Sequence, residues 1–367
     1  MKITSVKIYK YSIPMEPFVI ATGTMHYAQN IYIEVNTDAG LKGVGECSAF
    51  PMIVGETQET GYVLAKDFAG MWIGKNPLEI EDRMQELHYY IAGNYTIKSA
   101  FDMALYDIAA KEKVLPLYKY LGGAYFEPES DLTIGIDTIE NMRATAKDFV
   151  ENRNVRILKV KLGKDADQDI LRIKAIREQA GDAVAIRVDA NQGYSLEDAK
   201  KLLKGIEPYT IQYCEQPMRT YDDDFLPELL QSTSIPVMAD ESVYTHHDAE
   251  RLIRDSSTDA INIKLAKSGG IWEALKIHAV SKKHNIPNML GGMLESRVAL
   301  SANVHLALAC DNIKYYDFDS CLLGHKIDPV MNGVVYKGMH LQIPDKPGIG
   351  AEVHADFLAT CPSITIE

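Results

Sequence analysis

The chain opens on alternation. In KITSVKIYKYSI and QNIYIEVNTDAGLKGVGECS, β-branched and aromatic residues alternate with polar ones, the period of half-buried strands, and Asp38-Ala39-Gly40 marks a turn within the second run. From about residue 61 the period changes. GYVLAKDFAGMWIG, IEDRMQELHYYIA and SAFDMALYDIAAKEK set apolar residues three and four apart, as helices do. Strands followed by helices predict an α+β unit over residues 1–125, closing near Gly122-Gly123. Beyond it come eight short apolar runs: LTIGID (132–137), RILKVKLG (156–163), AIRVDAN (185–191), IQYCEQP (211–217), VMADES (237–242), AINIKLA (260–266), PNMLGGML (287–294) and KYYDFD (314–319). Amphipathic segments such as ADQDILRIKAIREQA and LEDAKKLLKGIE separate them. Eight strand–helix units of even length predict a (β/α)8-type barrel over residues 126–327, in preference to a doubly wound sheet. Strand alternation returns at GVVYKGMHLQI, so residues 328–367 are expected to pack back on the first unit and complete it.

Composition narrows the function. Among 367 residues, 51 acidic side chains against 38 basic ones leave a net charge of −13, and no basic block appears. That balance argues against nucleic acid and against an anionic membrane surface. The cysteines, Cys47, Cys214, Cys310, Cys321 and Cys361, are odd in number and scattered, and none forms a CxxC pair; neither a disulfide framework nor a zinc site is indicated. The N-terminal run lacks the apolar core of a signal peptide, and no uninterrupted apolar stretch is long enough for a membrane span. A cytoplasmic protein is expected.

In a barrel of this kind, chemistry sits at the C-terminal ends of the strands. Lys161, Asp189, Glu215, Asp240 and Lys264 fall there, spaced 28, 26, 25 and 24 residues apart, one strand–helix unit each. A single aspartate at such a turn can simply cap the next helix. Three carboxylates on neighbouring strands, Asp189, Glu215 and Asp240, would instead raise one another's pKa unless a cation lay between them. All-oxygen ligands favour Mg²⁺, with Mn²⁺ as a substitute.

The lysines complete the pattern. Lys161 on the second barrel strand and Lys264 on the sixth flank the carboxylates from opposite sides. Lys159 shares a strand face with Lys161, and as a like charge it is expected to lower the pKa of Lys161 toward the range of a general base. A base on each side of a metal-held carboxylate suits removal of an α-proton from one face and its return on the other, through a metal-stabilised enediolate. That is racemisation or epimerisation. On the last strand, Asp317 and Asp319 are again two residues apart and face one way, a pair suited to a cationic group.

Taken together, KVK, DAN, CEQP, ADES and NIKLAKSGG resemble the enolase superfamily in its muconate-lactonising subgroup, and GVGEC, SAFDMALYDIAAK, PLYKYLGG and GGMLESRVALSA extend the resemblance over nearly the whole chain. The resemblance implies Asp189, Glu215 and Asp240 as Mg²⁺ ligands, Lys161 and Lys264 as acid/base catalysts, Lys159 as an aid at the substrate carboxylate and Asn191 as a partner that orients the ligands. YYDFDS is similar to the Asp-x-Asp motif of dipeptide epimerases, which places the free ammonium of a dipeptide on Asp317 and Asp319. Thr133 and the Gly291-Gly292-Met293 backbone would hold the peptide. Thr24 and Ile53 lie in the two cap loops, FVIATGTMHYAQ and SAFPMIVGET, that close over substrate in this family. The first offers only His26 as a basic group and the second is largely apolar, so an Ala-Xaa dipeptide with a small or hydrophobic second residue, such as Ala-Ala, is expected ahead of Ala-Glu. The resemblance also allows a homo-oligomer. Three alternatives stay open: an N-acylamino acid racemase, an o-succinylbenzoate synthase, and, from another class, a non-catalytic metal- or peptide-binding barrel.

Overall fold

A computed structural model describes residues 1–367. Strands β1 (Ile3–Ile20), β2 (Gly23–Thr37) and β3 (Lys42–Ala49) form an antiparallel meander. The chain's last strand, Ser363–Ile366, adds antiparallel to the outer edge of β1, so the tail closes the N-terminal sheet. The segment FVIATGTMHYAQ is not a free loop. β1 and β2 continue through it as a hairpin, with Phe18 opposite Met25 and Ile20 opposite Gly23. Beyond a register shift at its start, between Ile3 and Ser5, the ladder is interrupted between Pro14 and Phe18, where Pro14 and Pro17 have no N–H to donate and a bulge absorbs them.

Helices Gln58–Trp72, Ile80–Tyr90 and Tyr95–Glu112 cover one face of this sheet. The two glycines of GVGEC explain how close they come. A Cβ on Gly43 would run into the carbonyl oxygen of Ala104, and one on Gly45 into that of Ala100, one helical turn away. Backbone here packs on backbone, which only glycine permits. Gly45→Ala is therefore expected to destabilise the protein by about 2–3 kcal/mol in urea unfolding, because neither partner is a side chain that can swing aside.

The barrel strands are β4 (Leu132–Ile134), β5 (Ile157–Lys161), β6 (Ala185–Asp189), β7 (Ile211–Glu215), β8 (Val237–Ala239), β9 (Ala260–Ile263), β10 (Asn288–Gly291) and β11 (Ile313–Asp317). They are parallel and pair in sequence order, seven within the apolar runs that predicted them and β11 starting one residue before its run. At the seam between β11 and β4, Asp131 N donates to Tyr316 O at 3.4 Å, and Thr133 N donates to the Asp319 carboxylate at 2.7 Å. Buried carboxylates lock the cap onto the barrel. Glu46 accepts from the Ser296 and Ala299 amides at 2.8 and 2.9 Å, capping the helix that follows β10. Asp102 does the same for the helix after β9, through the Ile271 and Trp272 amides. The cap thus lies over the C-terminal ends of the barrel strands. All five cysteines are free thiols. No helix is long and apolar enough to cross a membrane.

Candidate active site

Strand alternation builds the site in two layers. In the upper layer Lys161, Asp189 and Glu215 are successive partners across β5, β6 and β7, with Asp240 and Lys264 just beyond β8 and β9. One pleat below, Lys159 lies beside Arg187, and both face inward. Lys161 and Lys264 come from strands four apart in a ring of eight and therefore stand on opposite sides.

Charge is dense and almost wholly buried. Lys161 Nζ pairs with Asp189 at 2.6 Å, and Lys264 Nζ with Asp240 at 2.8 Å. Lys159, fully buried, reaches three carboxylates: Asp317 at 2.5 Å, Glu215 at 2.8 Å and Asp189 at 3.3 Å. This corrects one expectation. Lys159 does not stand against Lys161 as an unmatched like charge, because three acids, one of them 158 residues away, already match it. Burial alone would strip its proton, yet the Asp317, Glu215 and Asp189 charges outweigh burial and raise its pKa well above the usual value. Burial, then Asp189, pushes Glu215 up to about 7. Burial also works against the charge on Asp240, but Lys264 and Lys267 prevail and hold it below the carboxylate range.

A hard divalent cation fits this donor set. Asn191 Oδ1, Glu241 Oε2 and Asn262 Oδ1 are buried without any hydrogen-bond partner. Glu215 Oε2 and Asp240 Oδ1 lie at ion-pair distance from Lys159 and Lys267, yet neither receives an aligned hydrogen bond. Around these atoms seven buried carboxylates (Asp131, Asp189, Glu215, Asp240, Glu241, Asp317 and Asp319) face five cations (Lys159, Lys161, Arg187, Lys264 and Lys267). The carboxylates outnumber the cations, and buried charge without a counter-charge is strongly unfavourable. Asn191 joins two of these acids: its backbone amide donates to Asp189 at 2.9 Å and its side chain to Glu241 at 3.4 Å.

Above this floor lies a cavity lined by Lys161, Lys264, Asn191, Thr133, Asp317, Asp319, Gly292, Met293 and Ile53. Gly291 stands beside it, where a Cβ would meet Asn262 and Lys264; a side chain here would fill the reacting space. Asp189, Glu215, Asp240 and Lys159 lie beneath the wall. Thr24 does not reach the cavity. On the β1–β2 hairpin, Phe18 and Ile20 line the cavity, Met25 is buried, and Thr24 and His26 fall on the exposed, opposite face of β2. The hairpin is held over the barrel by the bond from Ile136 N to Val19 O at 3.2 Å, and the second cap segment by Tyr244 Oη donating to Ile53 O at 3.2 Å.

Several residues of the site escaped the reading of the sequence. Gln216 accepts from the amide of Asp240 at 2.9 Å, Asn262 donates to Glu215 at 2.6 Å, and Lys267 braces Asp240. A signal existed for Asn262, two residues before Lys264 on one strand face, the same argument that paired Lys159 with Lys161. The apolar wall of Phe18, Ile20, Phe50, Leu294 and Leu323 carried none, because these residues read as ordinary core.

Eight parallel strands under an α+β cap, with two lysines facing each other over a carboxylate floor, define a barrel enzyme of the enolase type. The chain belongs to that family: residues 3–122 match the mandelate racemase/muconate lactonizing enzyme N-terminal domain, and residues 141–357 match the enolase C-terminal domain-like family. It is 41% identical to a D-Ala-D/L-Ala epimerase of Cytophaga hutchinsonii, with 100% of both chains covered. A solved dipeptide epimerase from that organism, complexed with Mg and D-Ala-L-Val, superposes with a TM-score of 0.98 at 40% identity over 100% of both chains. A hydrophobic dipeptide epimerase of Enterococcus faecalis is 35% identical over 95% of this chain and 99% of its own. An N-succinyl-L-Arg/Lys racemase of Bacillus cereus is 32% identical over 98% of this chain and 97% of its own.

Proposed function

We propose that the protein is a Mg²⁺-dependent dipeptide epimerase that inverts the α-carbon of the C-terminal residue, with a small or hydrophobic side chain favoured there. The observation that carries this reading is one cavity wall holding Lys161, Lys264, Asp317 and Asp319 together. Asp189, Glu215 and Asp240 would hold the metal, which supplies Lewis-acid polarisation of the substrate carboxylate and so acidifies the α-proton. Lys161 Nζ and Lys264 Nζ then act from opposite sides. One takes the α-proton as the C–H bond breaks, and the other delivers a proton to the opposite face, so no atom is gained or lost overall. Asp317 and Asp319 bind the free ammonium, and Thr133 with the Gly292-Met293 backbone orients the peptide. Lys159 counters the charge on Asp317 from below.

The remaining wall sets the preference. Phe18, Ile20, Phe50, Ile53, Leu294 and Leu323 are apolar, and no basic group other than the two lysines lines the cavity. An apolar second residue is accommodated, whereas a glutamate carboxylate would be desolvated without a partner. The same wall disfavours an N-succinyl substrate, whose extra carboxylate would meet Asp317 and Asp319 instead of a cation. Five free thiols support a cytoplasmic setting.

The test is α-proton exchange in D₂O with Mg²⁺, followed by mass shift across Ala-Xaa, Xaa-Ala and N-acyl amino acid libraries. Exchange should appear with Ala-Xaa dipeptides carrying apolar Xaa and be at least ~10-fold slower with Ala-Glu, the cost of one unpaired buried charge. Exchange confined to N-acyl amino acids would overturn the reading.

A further inference from the structure

Beneath the ammonium-binding pair sits a third acid that the mechanism does not use. The carboxylates of Asp131, Asp317 and Asp319 each place an oxygen within 4.8 Å of the others, and all three are buried. Barrel closure brings them together, since Asp131 precedes β4, Asp317 ends β11 and Asp319 follows it, across the seam. Asp131 Oδ2 pairs with Arg187 at 2.7 Å, whereas Oδ1 is buried with no hydrogen-bond partner. Arg187 is itself wedged between the rings of Tyr213 and Tyr315, at 5.6 and 5.3 Å from their centroids, and donates to Tyr316 O and Gln212. The cluster therefore holds three carboxylates against two cations, Arg187 below and Lys159 beside Asp317.

We propose that Asp131 is a specificity-determining residue for the substrate ammonium: it leaves the Asp317/Asp319 pocket one positive charge short, a deficit that a free α-ammonium fills and an acylated nitrogen does not. This rests on the dipeptide reading above. Asp131 does not touch the peptide; it acts through Asp317 and Asp319 as a positioning charge. Burial and the Asp317 charge work against the charged forms of both Asp131 and Asp319, and at Asp131 the Arg187 guanidinium 2.7 Å away opposes them. A monocation arriving beside Asp319 relieves this crowding, and a neutral amide leaves it in place.

The experiment compares kcat/KM for an Ala-Xaa dipeptide with that for its N-acetylated form, in wild type, Asp131→Asn and Arg187→Gln holoenzyme with Mg²⁺. Asp131→Asn should lower the ratio of free to acetylated substrate by about tenfold or more, chiefly through KM of the free dipeptide. Arg187→Gln, which removes the screening cation, should raise that ratio, so the question stays answerable if either variant folds poorly. A purely structural ion pair would lower both rates by one factor in both variants and leave the ratio unchanged; that result overturns the proposal. A wild-type enzyme that prefers the acetylated substrate would instead overturn the dipeptide reading itself, before any variant is compared.

Discussion

Lys161→Ala and Lys264→Ala are each expected to lower epimerisation by about 10²–10⁴-fold or more, the usual contribution of a positioned acid or base. The two losses should differ in kind. Each variant keeps one lysine on one side of the cavity, so each should still exchange the α-proton of a single epimer in D₂O. The epimer that exchanges should switch between the two variants. A buried ion pair is lost in both cases, Lys161–Asp189 or Lys264–Asp240, and circular dichroism separates misfolding from lost chemistry. Wild-type epimerisation by either variant would refute the two-base arrangement. Exchange of both epimers by one variant would assign the work to the other lysine alone.

Removal of the metal is expected to have an effect of similar size. A chelator should abolish turnover, and Mg²⁺ should restore it. Stability gives a second readout. Wild type should gain about 2.7 kcal/mol when free Mg²⁺ reaches 100 times its Kd, because the ion binds the folded chain alone. Glu215→Gln should lose most of this gain, since it removes one of the three carboxylates proposed to hold the ion. Asn262 and Lys159 both lean on Glu215, so the variant also loosens the floor under both lysines. An unchanged thermal shift with Mg²⁺ in this variant would remove Glu215 from the ligand set.

The chain's own periodicities carried much of this. A period of two residues along each strand decides which side chains share a face, and a repeat of one strand–helix unit decides which strands are neighbours. Together they were enough to gather Lys161, Asp189, Glu215, Asp240 and Lys264 around one mouth, and to place Asp317 with Asp319. Both are local rules, written in consecutive residues, so reading them needs no knowledge of the folded state. They also supplied the order of elements and the expectation that the tail packs back on the first unit.

Tertiary structure decided what depends on closure. That Lys159 answers Asp317 rather than Lys161 follows from bringing the second barrel strand within reach of the eighth, which no local pattern encodes. The Asp131 cluster likewise exists only because β4 and β11 meet at the seam. The β1–β2 hairpin illustrates the same limit from the cap. FVIATGTMHYAQ reads as a loop because two prolines break the alternation before it, yet packing over the barrel extends the strands, turning Phe18 and Ile20 inward and Thr24 and His26 out. The apolar cap loop SAFPMIVGET pointed to a hydrophobic preference, but nothing local showed that Phe18, Ile20, Leu294 and Leu323 complete the wall. Its residues look like any core until the fold leaves a cavity between them and the lysines.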